Sequence, residues 1–317
     1  MVESGTVTFN DPDGYAAAFG DTRVELTISG AGDFAAQLTR LNLQHLEVHR
    51  CRESLARIAY ISFPAERIML SFPAGTSSPM FGGLALRDGD ILFHRRGEHL
   101  HQRSNGACEW GLISLSSKQL ADCSEALIGR RITSPHASRI LRPARSSAYR
   151  FARLFREACR LAEAGLEIVG RAEVARTLGQ ELLHAIVHCL DCHNDSETTA
   201  IGRRHHAAVM VRFEQALTEH ADERLNLPTL CADIDVAERT LRLCCAEVLG
   251  VSPTRYLLLQ RLNRARAALR RANPSTATVA EVARNNQFLE LGRFAVTYRT
   301  VFGESPSITL QRPSWKS

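Results

Sequence analysis

Hydrophobic and polar positions change rhythm twice along the chain. Up to about residue 140, short apolar stretches alternate with turn residues. The stretches are VELTI (24–28), LARIAYISF (55–63), RIMLSF (67–72), DILF (90–93) and WGLISL (110–115). Turns fall at DPDG (11–14), SGAGD (29–33), PAGTSSP (73–79), RDGD (87–90) and RSNG (103–106). Many short strands at such spacing predict a barrel or sandwich. Between residues 146 and 192 the period lengthens to three or four. Phe151, Leu154, Phe155, Ala158 and Leu161 form one stripe, and Leu178, Leu182, Ile186 and Leu190 another, so two helices are expected. HNDSETTAIGRR (193–204) has linker composition, and residues 206–312 are helical again. The pattern predicts an α+β multidomain chain: a β domain over 1–145, a helical segment over 146–192, a linker over 193–205 and an all-α domain over 206–317.

The last domain contains a repeat. Residues 226–231 match residues 278–283, and each copy opens with a helix N-cap type, Asn226 or Thr278. Thr278 with Glu281 predicts a capping box. Pro228 falls in a first helical turn, where its missing N–H costs little. Further on, Leu241, Cys245 and Leu249 match Phe294, Tyr298 and Phe302, now 53 residues apart and on one face of a longer helix. Gly250 and Gly303 suit left-handed helix ends. Ser252-Pro253 and Ser305-Pro306 suit the starts of the next helices. A short helix, a tight turn and a longer helix with one buried stripe make a helix-turn-helix. A helix over residues 252–272 joins the two units, with an apolar stripe of Leu258, Leu262, Ala265 and Leu269. Arg255, Arg261, Arg264, Arg266, Arg270 and Arg271 lie off that stripe. A rod of roughly 30 Å compares with the ~34 Å turn of B-DNA, so it would hold two reading heads in successive major grooves. Repetition for packing alone is the plainer reading, but solenoid repeats usually come in threes or more.

ERTLRLCCAEVLGVSPTRYLLLQRLNRARAAL and ATVAEVARNNQFLELGRFAVTYRTVFGESP resemble the AraC/XylS family of bacterial transcription regulators, over roughly residues 207–311. The resemblance implies a cupin-like N-terminal domain that senses a small molecule, and a helical dimerisation segment giving a homodimer. It also implies double-stranded DNA and RNA polymerase as partners, with activation the usual outcome. Position by position, Arg239, Arg242 and Leu243 would face bases from the first unit. Glu290, Leu291, Gly292 and Arg293 would do so from the second, with Arg264, Thr278 and Arg299 at phosphates. A guanidinium fork matches guanine O6 and N7. Two positions depart from the family, which commonly has Gly at its turns: this chain has Asp235 and Gln287. If those turns need positive φ, Asp tolerates it better than Gln, and the second unit is expected either to be strained or to build its turn differently.

Charge sharpens this picture. Residues 201–317 carry 17 Lys and Arg against 11 Asp and Glu, a net of +6, whereas the first 200 residues net −1. The positive excess lies with the repeat, which points to a polyanion partner, with a solvated basic surface as the plainer reading. No stretch approaches the ~18 apolar residues of a membrane span. The N-terminus lacks the basic-then-apolar pattern of a secretory signal. Nine cysteines, an odd number, suit a reducing compartment, and the cytoplasm is the expected location.

Other candidate chemistry is sparse. His99 and His101 on one strand face, with Glu109, are candidate metal ligands. They carry the alternative reading, a cupin-type metalloenzyme fused to a DNA-binding module. His188, Cys189 and Cys192 in HCLDCH are candidate zinc ligands. Cys244 and Cys245 are a candidate redox pair, with one thiol expected near the surface. No phosphate-cradling glycine loop, GxSxG elbow or paired-carboxylate motif stands out, so the chain is expected to bind rather than catalyse, without a cofactor. For an effector pocket, strand alternation singles out Phe72, Phe93, His94, His99 and Trp110.

Overall fold

A computed structural model describes residues 4–43, 46–164, 172–191, 201–220 and 226–312. Its first sheet has seven strands in the order β1 (Gly5–Phe9), β3 (Ala36–Leu43), β4 (Leu46–Glu53), β11 (Cys108–Ser116), β6 (Arg67–Pro73), β9 (Ile91–Phe93), β12 (Arg139–Leu141). The second has five, in the order β2 (Arg23–Ile28), β5 (Arg57–Ser62), β10 (His99–Ser104), β7 (Met80–Phe81), β8 (Leu84–Ala85). The sheets face each other across a core of Leu38, Cys51, Trp110 and Leu112 from the first, and Ala59, Ile61, Phe81 and Leu100 from the second. This fits the expected β architecture, with helices α1 (Pro12–Ala17) and α2 (Ser117–Ile128) added.

Strand alternation gives the seven-stranded sheet a second apolar face. On β11, Trp110 and Leu112 point to the sandwich interior, while Ile113 and Leu115 join Val48, Leu70 and Phe72 on the other side. That side is covered by α3 (Arg145–Glu163) and α4 (Ala172–Leu190). Phe151 and Phe155 meet the Phe72 ring edge-on, each at 4.9 Å between centroids. The ring lies so close over β11 that a Cβ at Gly111 would run into it. The helical stripes at 146–192 are therefore satisfied largely inside this chain.

Among the described residues seven helices follow: α5 (Ile201–Glu219), α6 (Leu227–Asp233), α7 (Glu238–Val248), α8 (Pro253–Arg271), α9 (Val279–Asn285), α10 (Leu291–Phe302) and α11 (Pro306–Gln311). Helix α5 begins inside the stretch whose composition suggests a linker, and residues 192–200 lie outside the described ones. Val209, Met210, Phe213, Leu230, Leu241, Cys244 and Cys245 form the core of the first helical unit. Leu262, Leu269, Phe288, Phe294, Tyr298 and Phe302 serve the second.

The helical domain docks against the five-stranded sheet. The Asn263 carboxamide of α8 accepts from the Ile28 N–H and donates to the Ile28 carbonyl, both at 2.9 Å, along the β2 edge. His101 Nε2 lies 2.7 Å from Glu214 Oε1 of α5, both buried. The Gly32 N–H donates to the Phe302 carbonyl at 3.1 Å, and Arg312 bridges to Asp33 at 2.7 Å. Among the described residues no helix is long and apolar enough to cross a membrane.

Candidate nucleic-acid interface

Each helical pair is set up by local chemistry. Asn226 Oδ1 accepts the Thr229 N–H at 2.9 Å, which starts α6. Thr278 starts α9 with the expected capping box: its Oγ1 accepts the Glu281 N–H at 3.2 Å, and Glu281 Oε2 accepts the Thr278 N–H at 3.0 Å. Both short helices stop in the same way. The chain enters the left-handed region at Asp235 (φ 49°) and Gln287 (φ 66°). The next N–H then reaches back five residues, Val236 to the Cys231 carbonyl at 3.0 Å and Phe288 to the Ala283 carbonyl at 2.9 Å. This paired closure satisfies orphan carbonyls at a helix end and is usually built on glycine. Gly250 (φ 71°) and Gly303 (φ 78°) end the two longer helices in left-handed geometry.

The turns aim α7 and α10 outward. On α7, Leu241, Cys244, Cys245 and Val248 are buried, and Arg239, Arg242 and Leu243 are exposed. On α10, Phe294, Tyr298, Val301 and Phe302 are buried, and Gly292, Arg293 and Arg299 are exposed. Glu290 is the exposed N-cap residue of α10, without a side-chain cap bond, and Leu291 is half-buried. Arg242 Nε donates to Glu238 Oε1 at 2.8 Å, one turn back. The Thr278 hydroxyl is engaged in its capping box, and Arg264 is exposed on α8. Two exposed apolar side chains also stand here, Leu289 and Val296. Neither stands out in the sequence pattern, although Val296 lies 53 residues after Leu243, the offset at which the long helices match.

Helix α8 holds the two units 19 residues apart along one rod. Its buried stripe runs through Tyr256, Leu259, Leu262, Ala265 and Leu269, so Leu259 takes the place expected for Leu258. Arg266, off the expected apolar stripe, is nevertheless buried. Its Nη2 donates to Glu304 Oε1 at 2.9 Å, and its guanidinium lies 4.4 Å from the Phe302 ring centre. Burial, with Arg270 nearby, pulls its pKa below the usual arginine value. Glu304 also accepts from the Thr309 hydroxyl at 3.0 Å and lies 3.1 Å from Arg312 Nη2. The Glu of FGESP was the available signal for this clasp. A cleft of about 270 Å³ runs between the units, with Leu217, Leu257, Asn226, Arg261, Arg264 and Gln287 on its walls. A second, of about 410 Å³, lies between α8 and the β domain, with Arg264 and Arg270 facing Asp13 and Glu25.

The residues singled out for an effector pocket do not converge. Phe72 and Phe93 are buried on the helix side of the first sheet. Trp110 is on its other side, donating from Nε1 to Glu53 at 3.1 Å. His94 is buried between Ser71 Oγ (2.8 Å) and Glu98 (2.6 Å). His99 is exposed beside Ser62 Oγ at 2.8 Å. The suggested metal ligands are likewise separated: His101 is committed to Glu214, and Glu109 to Arg50 and Arg52 on the other sheet. Among the described residues no group of three or more His, Cys, Asp or Glu is placed to hold a metal. Cys189 is buried in the helix–sheet core, and Cys192 lies outside the described residues. Cys244 and Cys245 are both fully buried, which corrects the expectation of one surface thiol; burial raises both pKa values and keeps the thiols protonated.

Comparison with known proteins bears on this region. A helix-turn-helix domain family matches residues 230–312. The chain is similar to a probable thc operon regulatory protein of Rhodococcus erythropolis, 37% identical over 95 residues, which cover 30% of this chain and 29% of that protein. It is also similar to a XylDLEGF operon transcriptional activator of Pseudomonas putida, 32% identical over 101 residues, covering 32% of each. The matched part thus spans about a third of the length of these curated relatives. Among solved structures, it is similar to the AraC-like transcriptional activator CuxR at 14% identity, covering 94% of this chain and 99% of that one, with a TM-score of 0.42.

Proposed function

We propose that the C-terminal domain is of the AraC/XylS type and that the chain is a sequence-specific transcription regulator, acting as an activator in the cytoplasm; the helix-turn-helix match over residues 230–312 and the likeness to two operon regulators support this. Its two helix-turn-helix units read successive major grooves of double-stranded DNA. The observation that carries this is the repeat in three dimensions. Two left-handed turns aim two helices outward, each with a buried apolar stripe and exposed arginines, from the ends of one rod. Nineteen residues at ~1.5 Å each make that rod somewhat shorter than one turn of B-DNA.

Arg239, Arg242 and Leu243 act as base readers in the first unit, and Leu291, Gly292 and Arg293 form the reading edge of the second. Arg264 and Arg299 meet phosphates. Thr278 and Glu290 support helix starts, with Thr278 also near the backbone of the duplex. The N-terminal domain is a cupin-like sensor of a small molecule, and the exposed faces of α3 and α4 pair two copies into a homodimer that contacts RNA polymerase. The chemistry is recognition, not catalysis.

The test is fluorescence-anisotropy titration of the full chain against the duplex upstream of its own coding region and against a scrambled duplex, at two salt concentrations. Non-specific binding is electrostatic and falls steeply with salt. A preference of about a thousandfold or more for the first duplex supports the reading. Arg239→Ala should then cost about 1–3 kcal/mol at one base position. Equal binding to both duplexes in both salts, with the same result for the variant, would refute it.

A further inference from the structure

Exposed apolar side chains recur at one place in the repeat. Leu243 on α7 is 57% exposed, and Val296, 53 residues on, is 68% exposed on α10. Neither serves a core: the neighbouring Leu241 and Cys244, and Phe294 and Tyr298, fill the units from the opposite faces. The same offset pairs Arg239 with Gly292. A Cβ at Gly292 would meet nothing within 4 Å, so the fold has room for a side chain there. Gly292 is the second residue of α10, so the first turn of that helix presents bare backbone one turn before Val296.

The surroundings indicate what covers these groups. Arg239 and Arg242 flank Leu243, and Arg293 and Arg299 lie one turn either side of Val296, all exposed. Apolar groups ringed by guanidinium groups match a surface that is anionic at its rim and offers apolar atoms between. The major groove has that character, and its distinctive apolar feature is the C5-methyl of thymine. A long side chain at 292 would hold the helix off the groove floor; glycine lets it approach.

We propose that Leu243 and Val296 read thymine methyl groups, one in each half of the site, and that the second unit depends on this contact because it has no side chain at residue 292. The proposal rests on the DNA-reading function above and names the chemistry of its site.

The experiment first selects duplexes from a random-sequence pool with the full chain. Each thymine of the selected site is then replaced in turn by deoxyuridine, which removes only the methyl group. Affinities are measured for wild type, Leu243→Ala and Val296→Ala, with melting curves to verify folding. Wild type should lose about fourfold at one thymine in each half, the worth of one methyl group withdrawn from water. Leu243→Ala should abolish that sensitivity in one half only, and Val296→Ala in the other only. Indifference of wild type to every replacement, or full sensitivity retained in both variants, would overturn the proposal while leaving sequence-specific binding intact. Enrichment of no sequence by wild type would instead remove the DNA-reading function, and this proposal with it.

Discussion

Individual residues here are often decided by burial. His49 on β4 is almost wholly inside, and its Nε2 accepts from Arg40 Nε at 3.0 Å, which requires a neutral ring. Burial, helped by Arg40 and Arg67, pushes its pKa down to about 3. The unfolded chain regains an ordinary value near 6.5, so between those limits the unfolded state binds the extra proton. Stability carried by the neutral ring is whole above about pH 6.5 and declines as the pH falls towards 3. The expected loss approaches about 1.4 kcal/mol per pH unit over that window. Urea titrations of wild type and His49→Gln at pH 7 and pH 5 would measure it; equal pH slopes in the two proteins would dismiss the idea. Arg266 carries the same lesson in another form. Its spacing on α8 sets it off the apolar stripe, but Glu304, 38 residues later, draws it inside.

At the scale of elements, the two turns show what local sequence reveals. N-cap residues, first-turn prolines and closing glycines act within a few positions of one another, so the helix-turn-helix units were legible from the chain alone. The strained positions were legible as well, since Asp235 and Gln287 stand where a left-handed residue is needed. Asp tolerates that region better than Gln, and glycine better than either. Gln287→Gly should therefore raise the melting temperature by a few degrees, the larger gain expected from relieving a left-handed non-glycine residue and the smaller loss from a freer unfolded chain. A calorimetric scan showing no rise or a fall would count against strain at this turn. Elements set by distant partners were harder to read. Strands β3 and β4 lack a continuous apolar run because Arg40, Asn42, Arg50 and Arg52 alternate with their buried positions. Helix α1 looked like a turn, although Asp11 and Pro12 are an N-cap and a first helical residue. The suggested effector pocket failed for a related reason: alternation tells which residues share a strand face, not which face of which sheet closes over them.

At the scale of the whole molecule, the β domain and the helical domain are fastened together while Arg239, Arg242, Leu243 and Arg293 stay exposed. Ile58 of β5 sits in the core of the first helical unit, and the buried His101–Glu214 pair lies across the same boundary. The Asn263 carboxamide is the most directional of these links, since it satisfies both backbone groups of Ile28. Asn263→Ala strands a partly buried donor and acceptor, at about 1–3 kcal/mol for each group left unsatisfied. Amide exchange along β2 and α8 should accelerate together in that variant. Acceleration on neither side would show that the contact does not couple them. The same carboxamide has a bearing on solubility. Strand β2 is one of the two outer strands of its sheet, and such margins invite pairing with another chain unless something blunts them. Here a side chain from a different domain stands in for the missing neighbour. A fragment cut before α8 would keep both sheets but bare that margin, and self-association of such a fragment would report a lost cover, not a native dimer.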